Sequence, residues 1–216
     1  MRKILALMLC LLTAFAPLAA RAEAVGALAH PWLPADAAFV SAQGTLAGQA
    51  HTYAVGDALW TLTLNAAGQP VKLQSAAGAA SGEGTPAAAL QTRAEAEAAL
   101  KAFDAGALIV RAEEGNGAAR LWFVAQAAAG WAEFTTAGGL CAADITFGQF
   151  IANGQLTFAG ASQTLSLLRP GAQLDGMEMD EDDGFLLYEG DAYLDGQEYE
   201  FELDAHTGRL LEWERD

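Results

Sequence analysis

Three stretches of the chain repeat one pattern, short alternating strands broken by turn residues, and this recurrence limits the fold more than any other feature. In His51–Gln74, "HTYAVGDALWTLTLNAAGQPVKLQ", the breaks are Gly56-Asp57 and the Asn65-to-Gly68 turn. In Leu121–Phe147 they are Gly130 and Gly138-Gly139. Near the C-terminus, Met177 and Met179 precede Asp180–Gly184, a strand follows over Phe185–Tyr193, and Asp195-Gly196 turns the chain into Glu198. There Tyr199, Phe201 and Leu203 alternate with Glu198, Glu200, Glu202 and Asp204, a period of two that puts the apolar residues on a buried face and the acids in water. Gly208 can take the positive φ of a tight hairpin, and Leu211 with Trp213 resume the alternation. Three meanders of one design imply duplication.

A helix precedes each of the last two meanders. Thr92-Arg93-Ala94-Glu95 fits a capping box, Ala96, Ala99, Leu100 and Phe103 share one face, and Gly106 can close the end, so a helix is predicted over 92–104. A second is predicted over 158–169, with Gly160 near its start and Pro170-Gly171 stopping it. The fold class expected is therefore α+β, tandem units of one helix packed on an antiparallel β-meander. Leu100 and Phe103 should then lie on a sheet containing Trp122, Val124 and Phe134, and Leu165 and Leu168 near Tyr199 and Phe201. Ser75–Ala89 is built of small residues and reads as a linker. Residues 23–50, with Pro31 and Pro34, admit either a short helix or an edge strand.

The N-terminus has the grammar of a secretory leader. Arg2 and Lys3 precede the apolar run Ile4–Ala16, and Ala20-Arg21-Ala22 offers a cleavage site, so residues 1–22 are expected to be removed and the mature chain to begin at Glu23. Cys10 lies in that run without the small residue that lipidation wants before it, so acylation is not expected. No other stretch is long and apolar enough to span a bilayer. Cys141 then remains alone, a small buried hydrophobe rather than a disulfide partner.

Charge restricts the partners. Without the leader, 8 basic residues stand against 27 acidic ones, a formal −19, which repels nucleic acid and anionic membrane. Residues 175–216 carry 16 acids against Arg209 and Arg215, so most of the excess sits in the last fifth of the chain.

The residues that might carry chemistry point to none. His30, His51 and His206 are far apart and lack zinc-site spacing. Asp180–Asp183 with Gly184 could gather a hard cation, but it departs from the helical calcium-loop pattern and reads as a solvated hairpin turn, so no metal is assigned. There is no Gly-x-Ser-x-Gly elbow and no phosphate-binding glycine loop. No catalytic residue, cofactor or enzymatic activity is expected.

The last sixty residues resemble the PepSY domain family. The resemblance rests on the helix 158–169, on "DDGFLLYEGDAYLDGQEYEFELDAHTG" and on the closing "RLLEWE", with Asp204, Thr207 and Gly208 in the family's Asp-x-x-Thr-Gly turn. It divides the chain into the leader 1–22, an N-terminal partial β unit and linker over 23–88, a degenerate PepSY-like unit over 89–150 (the copy itself about 89–147) and a PepSY-like unit over 151–216 (the copy about 155–216). In the degenerate copy Thr136–Gly139 lacks the Asp and the ordered turn. PepSY domains occur in propeptides of secreted peptidases and as free-standing exported proteins. The resemblance implies a secreted or extracytoplasmic, non-enzymatic protein-binding module that restrains or chaperones an exported peptidase or another envelope protein. An envelope structural or ligand-sensing domain with an acidic surface facing cations or the wall is the other reading. The binding face or edge, the partner and the oligomeric state stay open at the level of sequence.

Overall fold

The computed structural model describes residues 30–56, 58–76, 89–115, 118–136, 139–182 and 184–216. The expected leader and most of the linker lie outside these residues. The described chain is an antiparallel β structure with two 11-residue helices. Strands β1 (Ala38–Thr45), β2 (Gly48–Val55), β3 (Ala58–Asn65) and β4 (Pro70–Ser75) come first, then helix α1 (Arg93–Phe103). Next are β5 (Leu108–Gly115), β6 (Ala118–Val124), β7 (Ala128–Phe134) and β8 (Leu140–Phe147). A two-stranded ribbon, β9 (Ile151–Ala152) and β10 (Gln155–Leu156), leads into α2 (Phe158–Leu168). The chain ends in β11 (Gln173–Asp182), β12 (Phe185–Leu194), β13 (Gln197–Asp204) and β14 (Leu210–Arg215).

The expectation of tandem α+β units, each a helix on its own meander, is overturned. The first two meanders form one eight-stranded sheet in the order β1-β2-β3-β4-β8-β7-β6-β5, while β11 to β14 make a separate four-stranded sheet. The join is made by β4 and β8, where Lys72, Leu73 and Gln74 pair with Thr146, Ile145 and Asp144. Alternation within a strand reports which side chains are buried, not which strand its free edge will meet, so this fusion leaves no local mark. Nor does α2 sit on its own meander alone: it packs closely on β5, β6 and β7 of the larger sheet.

One apolar core lies on the inner face of the large sheet. Trp60, Leu62, Leu73, Ile145, Leu121 and Phe123 run across it, and α1 seals the β5 to β7 end with Ala96 and Leu100. The cap is the one expected: Thr92 Oγ1 accepts from Glu95 N at 3.3 Å and donates to Glu95 Oε2 at 2.7 Å. The chain leaves α1 through Asp104 in extended geometry, its N–H on Leu100 O, and Gly106 plays no left-handed capping part. Phe134 shares this core with Leu100, but Phe103 is partly exposed, its ring 4.4 Å from Trp32. Trp122 and Val124 alternate with Leu121 and Phe123 and so face the opposite side of the sheet, against the expectation.

A second core lies on that opposite side. Val124 and Ala129 of the large sheet meet Ala161 and Leu165 of α2, which meet Tyr188, Phe201 and Leu203 of the small sheet. The helix is thus sandwiched between two sheets. At its start Gly160 lets the helix lie against the β8–β9 connection: a Cβ there would stand 2.0 Å from Phe150 O, so a residue that weakens helix propensity is required by close approach to the backbone. Gly130 has the same role inside β7, where a Cβ would stand 2.0 Å from Asp144 O; it is a strand residue and not the turn its composition suggests. The open choice over residues 23–50 resolves, within the described part, to the edge strand β1 and the start of β2.

Candidate functional site: an acidic sheet face

The period of two in β11 to β14 gives the small sheet one apolar and one charged face. Register then decides where the charges fall. Glu178 pairs with Glu189, Glu189 with Glu202 and Glu202 with Glu212, so four carboxylates form one row across all four strands. In the next row Gly176 is followed by Asp191, Glu200 and Glu214. The reverse face carries Met177, Gly190, Phe201 and Trp213 in one line, and Tyr199 stacks on Trp213 at 4.8 Å. The expected placement of Glu198, Glu200 and Glu202 on the wet side of their strand is what the structure shows. The alignment of acids from four strands into rows was not legible from any one strand.

The charged face is concave. A bulge between Leu174 and Gly176 bends β11, and a trough of about 510 Å³ opens over Glu178, Glu189, Asp191, Glu200, Glu202 and Glu212. Gly190 makes the bend possible. A Cβ at this position would lie 2.2 Å from Gly176 O, well inside contact distance, so only glycine allows β11 and β12 to approach this closely.

Like charges directly opposite each other on neighbouring strands destabilise a sheet, by the same few tenths to one kcal/mol that unlike pairs contribute. Here the rows contain no lysine or arginine. At the rim, Tyr193 Oη donates to Glu198 Oε1 at 2.8 Å, and the carboxylate it faces, together with partial burial, holds the phenol above its ordinary range. Among the described residues no group of three or more His, Cys, Asp or Glu is arranged to hold a metal ion. Of the Asp180–Asp183 run, Asp180, Glu181 and Asp182 belong to β11 rather than to a turn, while Asp183 lies outside the described residues.

The Asp-x-x-Thr-Gly turn is an architectural joint. Asp204 Oδ1 accepts from His206 N and Thr207 N, both at 2.8 Å. Partial burial pushes this carboxyl up, but the Thr207 and His206 backbone donors outweigh it and hold the group below the usual carboxylate range. Gly208, at φ 67°, is buried, and a Cβ there would stand 3.5–3.8 Å from Val110, Thr164 and Leu108, so the turn lies against β5 and α2, where Leu108 and Val110 pack on the core that holds Leu203 and Ala205.

The three histidines stay apart in space and in role. His30 Nδ1 accepts from Trp32 N at 3.3 Å and its ring meets Phe147 at 4.5 Å. His51 is buried on β2 beside Phe39 and Tyr53, and His206 contacts Gly154 O. Burial pushes both His30 and His51 below the ordinary imidazole value. Cys141 is half-buried, and burial with the Glu133 charge pushes its thiol up to about 11, so it stays protonated at neutral pH.

A feature that sequence reasoning missed lies on the outer face of the large sheet. Trp122 and Trp131 are cross-strand neighbours, with Arg111 4.5 Å from the Trp122 ring centre and Arg120 3.9 Å from that of Trp131. Arg120 is also held by Glu133 at 2.6 Å. The two tryptophans are visible in the sequence, but only the β6–β7 register brings them side by side.

No protein-family model matches the chain, and no curated protein matches it. Two solved structures are similar at low level. One is the Bacillus megaterium YpeB C-terminal domain, 11% identical over 89% of this chain and 93% of that one, with a TM-score of 0.38. The other is a putative lipoprotein (CD1622) from Clostridium difficile 630, 15% identical over 54% of this chain and 88% of that one, with a TM-score of 0.27. Neither likeness is close enough to show a shared fold, and the PepSY resemblance rests on the sequence turn and its flanking strands. Among the described residues no helix is long and apolar enough to cross a membrane.

Proposed function

We propose that this chain is a non-enzymatic, exported protein-binding module whose concave acidic sheet face receives a basic surface of its partner. The observation that carries the reading is the register that stacks Glu178, Glu189, Glu202 and Glu212 into one row and Asp191, Glu200 and Glu214 into the next. Solubility alone is served by charges of both signs dispersed over a surface. A concave patch of one sign, built at a cost in cross-strand repulsion, suits steering and capture of a cationic partner. The leader expected from the sequence supports an extracytoplasmic site of action, and the PepSY resemblance supports an exported peptidase as the partner class. The side chains over the trough are carboxylates, an arrangement suited to docking rather than to bond making.

The test is capture of partners from the producing cell's secreted fraction, followed by association kinetics for the native protein and for Glu200→Gln/Glu202→Gln/Glu212→Gln. The expected result is an on-rate that falls several-fold in the variant at low salt and converges with the native value as salt rises. Equal on-rates for the two proteins at low salt would overturn the acidic-face reading. A captured wall polymer in place of a protein would favour the envelope-domain alternative.

A further inference from the structure

We propose that β1 is a self-association edge, through which two copies of the exported chain join antiparallel into one continuous sheet. A sheet edge presents unpaired backbone donors and acceptors, and proteins guard such edges with charge, proline or bulges. The eight-stranded and four-stranded sheets have four outer edges between them. β5 carries Arg111, Glu113 and Glu114; β11 carries Asp175, Glu178, Asp180, Glu181 and Asp182; β14 carries Glu212, Glu214 and Arg215. β1, "AFVSAQGT", has neither a charge nor a proline. Its bulge falls between Phe39 and Ser41, and from Ser41 to Thr45 it runs in regular register with Thr52 to Gly48. Beyond the bulge, five consecutive residues therefore offer a regular edge with neither charge nor proline, and among the described residues no strand pairs with it.

Two further observations choose a second copy as the occupant. The first is where the exposed apolar side chains stand. Val40 is 55% exposed, and Leu46, just past the end of the strand, is fully exposed. An antiparallel pair related by a two-fold axis at Gln43 sets Ser41 opposite Thr45 of the other copy, and it brings Val40, at the bulge, and Leu46, in the turn after β1, to the two ends of the seam. The edge is thus complementary to itself, as a closed two-fold interface demands. The second is charge. From His30 to Ala76 the charged residues are Asp36, Asp57 and Lys72, whereas residues 175–216 carry 16 acids against two arginines. β1 is at the end of the large sheet furthest along its strand order from β5, the strand against which the acidic domain is fastened. Two strongly acidic chains can approach most readily by this near-neutral end.

The experiment is analytical ultracentrifugation of the exported chain from low micromolar to submillimolar concentration, at low and moderate salt. The expected result is a monomer–dimer equilibrium that tightens as salt rises, because screening relieves repulsion between two like-charged bodies. Val40→Lys/Gln43→Lys should weaken it by roughly tenfold or more, since lysine on an open edge opposes pairing. Both positions are exposed, so folding should be retained, and far-UV circular dichroism checks that it is. In a Cys141→Ser background, Gln43→Cys should form a disulfide-linked dimer under oxidation, and Leu211→Cys, exposed on the other sheet, should not. A chain that stays monomeric throughout, a dimer indifferent to the two lysines, or one that weakens as salt rises would each overturn the proposal. The salt response separates it from the acidic-face reading, whose partner binding weakens with salt.

Discussion

Gly190→Ala is the substitution that most directly tests how the concave face is built. The new Cβ would stand 2.2 Å from Gly176 O and 2.9 Å from both Gly176 C and Met177 Cα. All three are backbone atoms, so no side chain can rotate away, and β11 must shift by the better part of an ångström. Forcing one extra carbon into a packed site costs about 1–3 kcal/mol. Displacing the bulged part of β11 also weakens one or two ladder bonds at about 0.5–1.5 kcal/mol each. A total of about 1.5–6 kcal/mol follows, which for a chain of this size lowers the melting temperature by roughly 3–24 °C. The control is on the facing strand: a Cβ at Gly176 meets nothing within 4 Å, so Gly176→Ala should stay within about 0.5 kcal/mol of the native protein. Urea unfolding followed by circular dichroism compares the two. Equal stability of Gly190→Ala and Gly176→Ala would refute the close-approach argument, and with it the account of why the acidic face curves.

Leu165→Ala removes a buried side chain from the layer that joins the two sheets and should cost about 2–5 kcal/mol, read from chemical denaturation. His30 and His51 both have folded-state values lowered by burial, so the unfolded chain binds more protons below about 6.5. The stability they contribute is fully present above that value and is lost as pH falls through the lowered folded values; melting temperature followed from pH 7.5 to 5 should decline, and His51→Phe should flatten part of that decline. Arg120→Ala removes both the cation over Trp131 and the Glu133 partner at a partly exposed site, which should cost about 0.5–1.5 kcal/mol and change the tryptophan emission. Intact mass of exported protein should correspond to a chain beginning at Glu23.

What the sequence revealed were local matters, and what it concealed were pairings between distant segments. Thr92 and Glu95 announce α1, and Tyr199, Phe201 and Leu203 declare their strand's buried face, because caps and alternation are written in neighbouring residues. The pairing of Leu73 with Ile145 is written nowhere near either residue, and it turns two expected meanders into one sheet. Gly130 and Gly160 misled for a related reason. Each looks like a break in its element, yet each is demanded by a backbone atom of a different segment, Asp144 O of β8 and Phe150 O of the β8–β9 connection. The acids of the candidate site were all visible as exposed strand residues, but the step from acidic strand to acidic row needs the register of four strands.

The same register explains why the charge is tolerable. A row such as Glu178, Glu189, Glu202 and Glu212 would unsettle a sheet held only by its own hydrogen bonds. This sheet is held from its other side. Tyr188, Phe201 and Leu203 are buried against Leu165 of α2, and Tyr188 Oη donates to Leu156 O at 2.9 Å. Burying these side chains contributes about 1.5–3 kcal/mol apiece, several times the repulsion of one like-charged cross-strand pair. The sandwiched helix therefore does more than fill space between two sheets. It supplies the stability against which an acidic surface can be set, so neutralising the acids should raise the stability of the small sheet even where it slows capture of a basic partner. A denaturation midpoint that fell in Glu200→Gln/Glu202→Gln/Glu212→Gln would contradict this, and would mean that the carboxylates hold the sheet together rather than strain it.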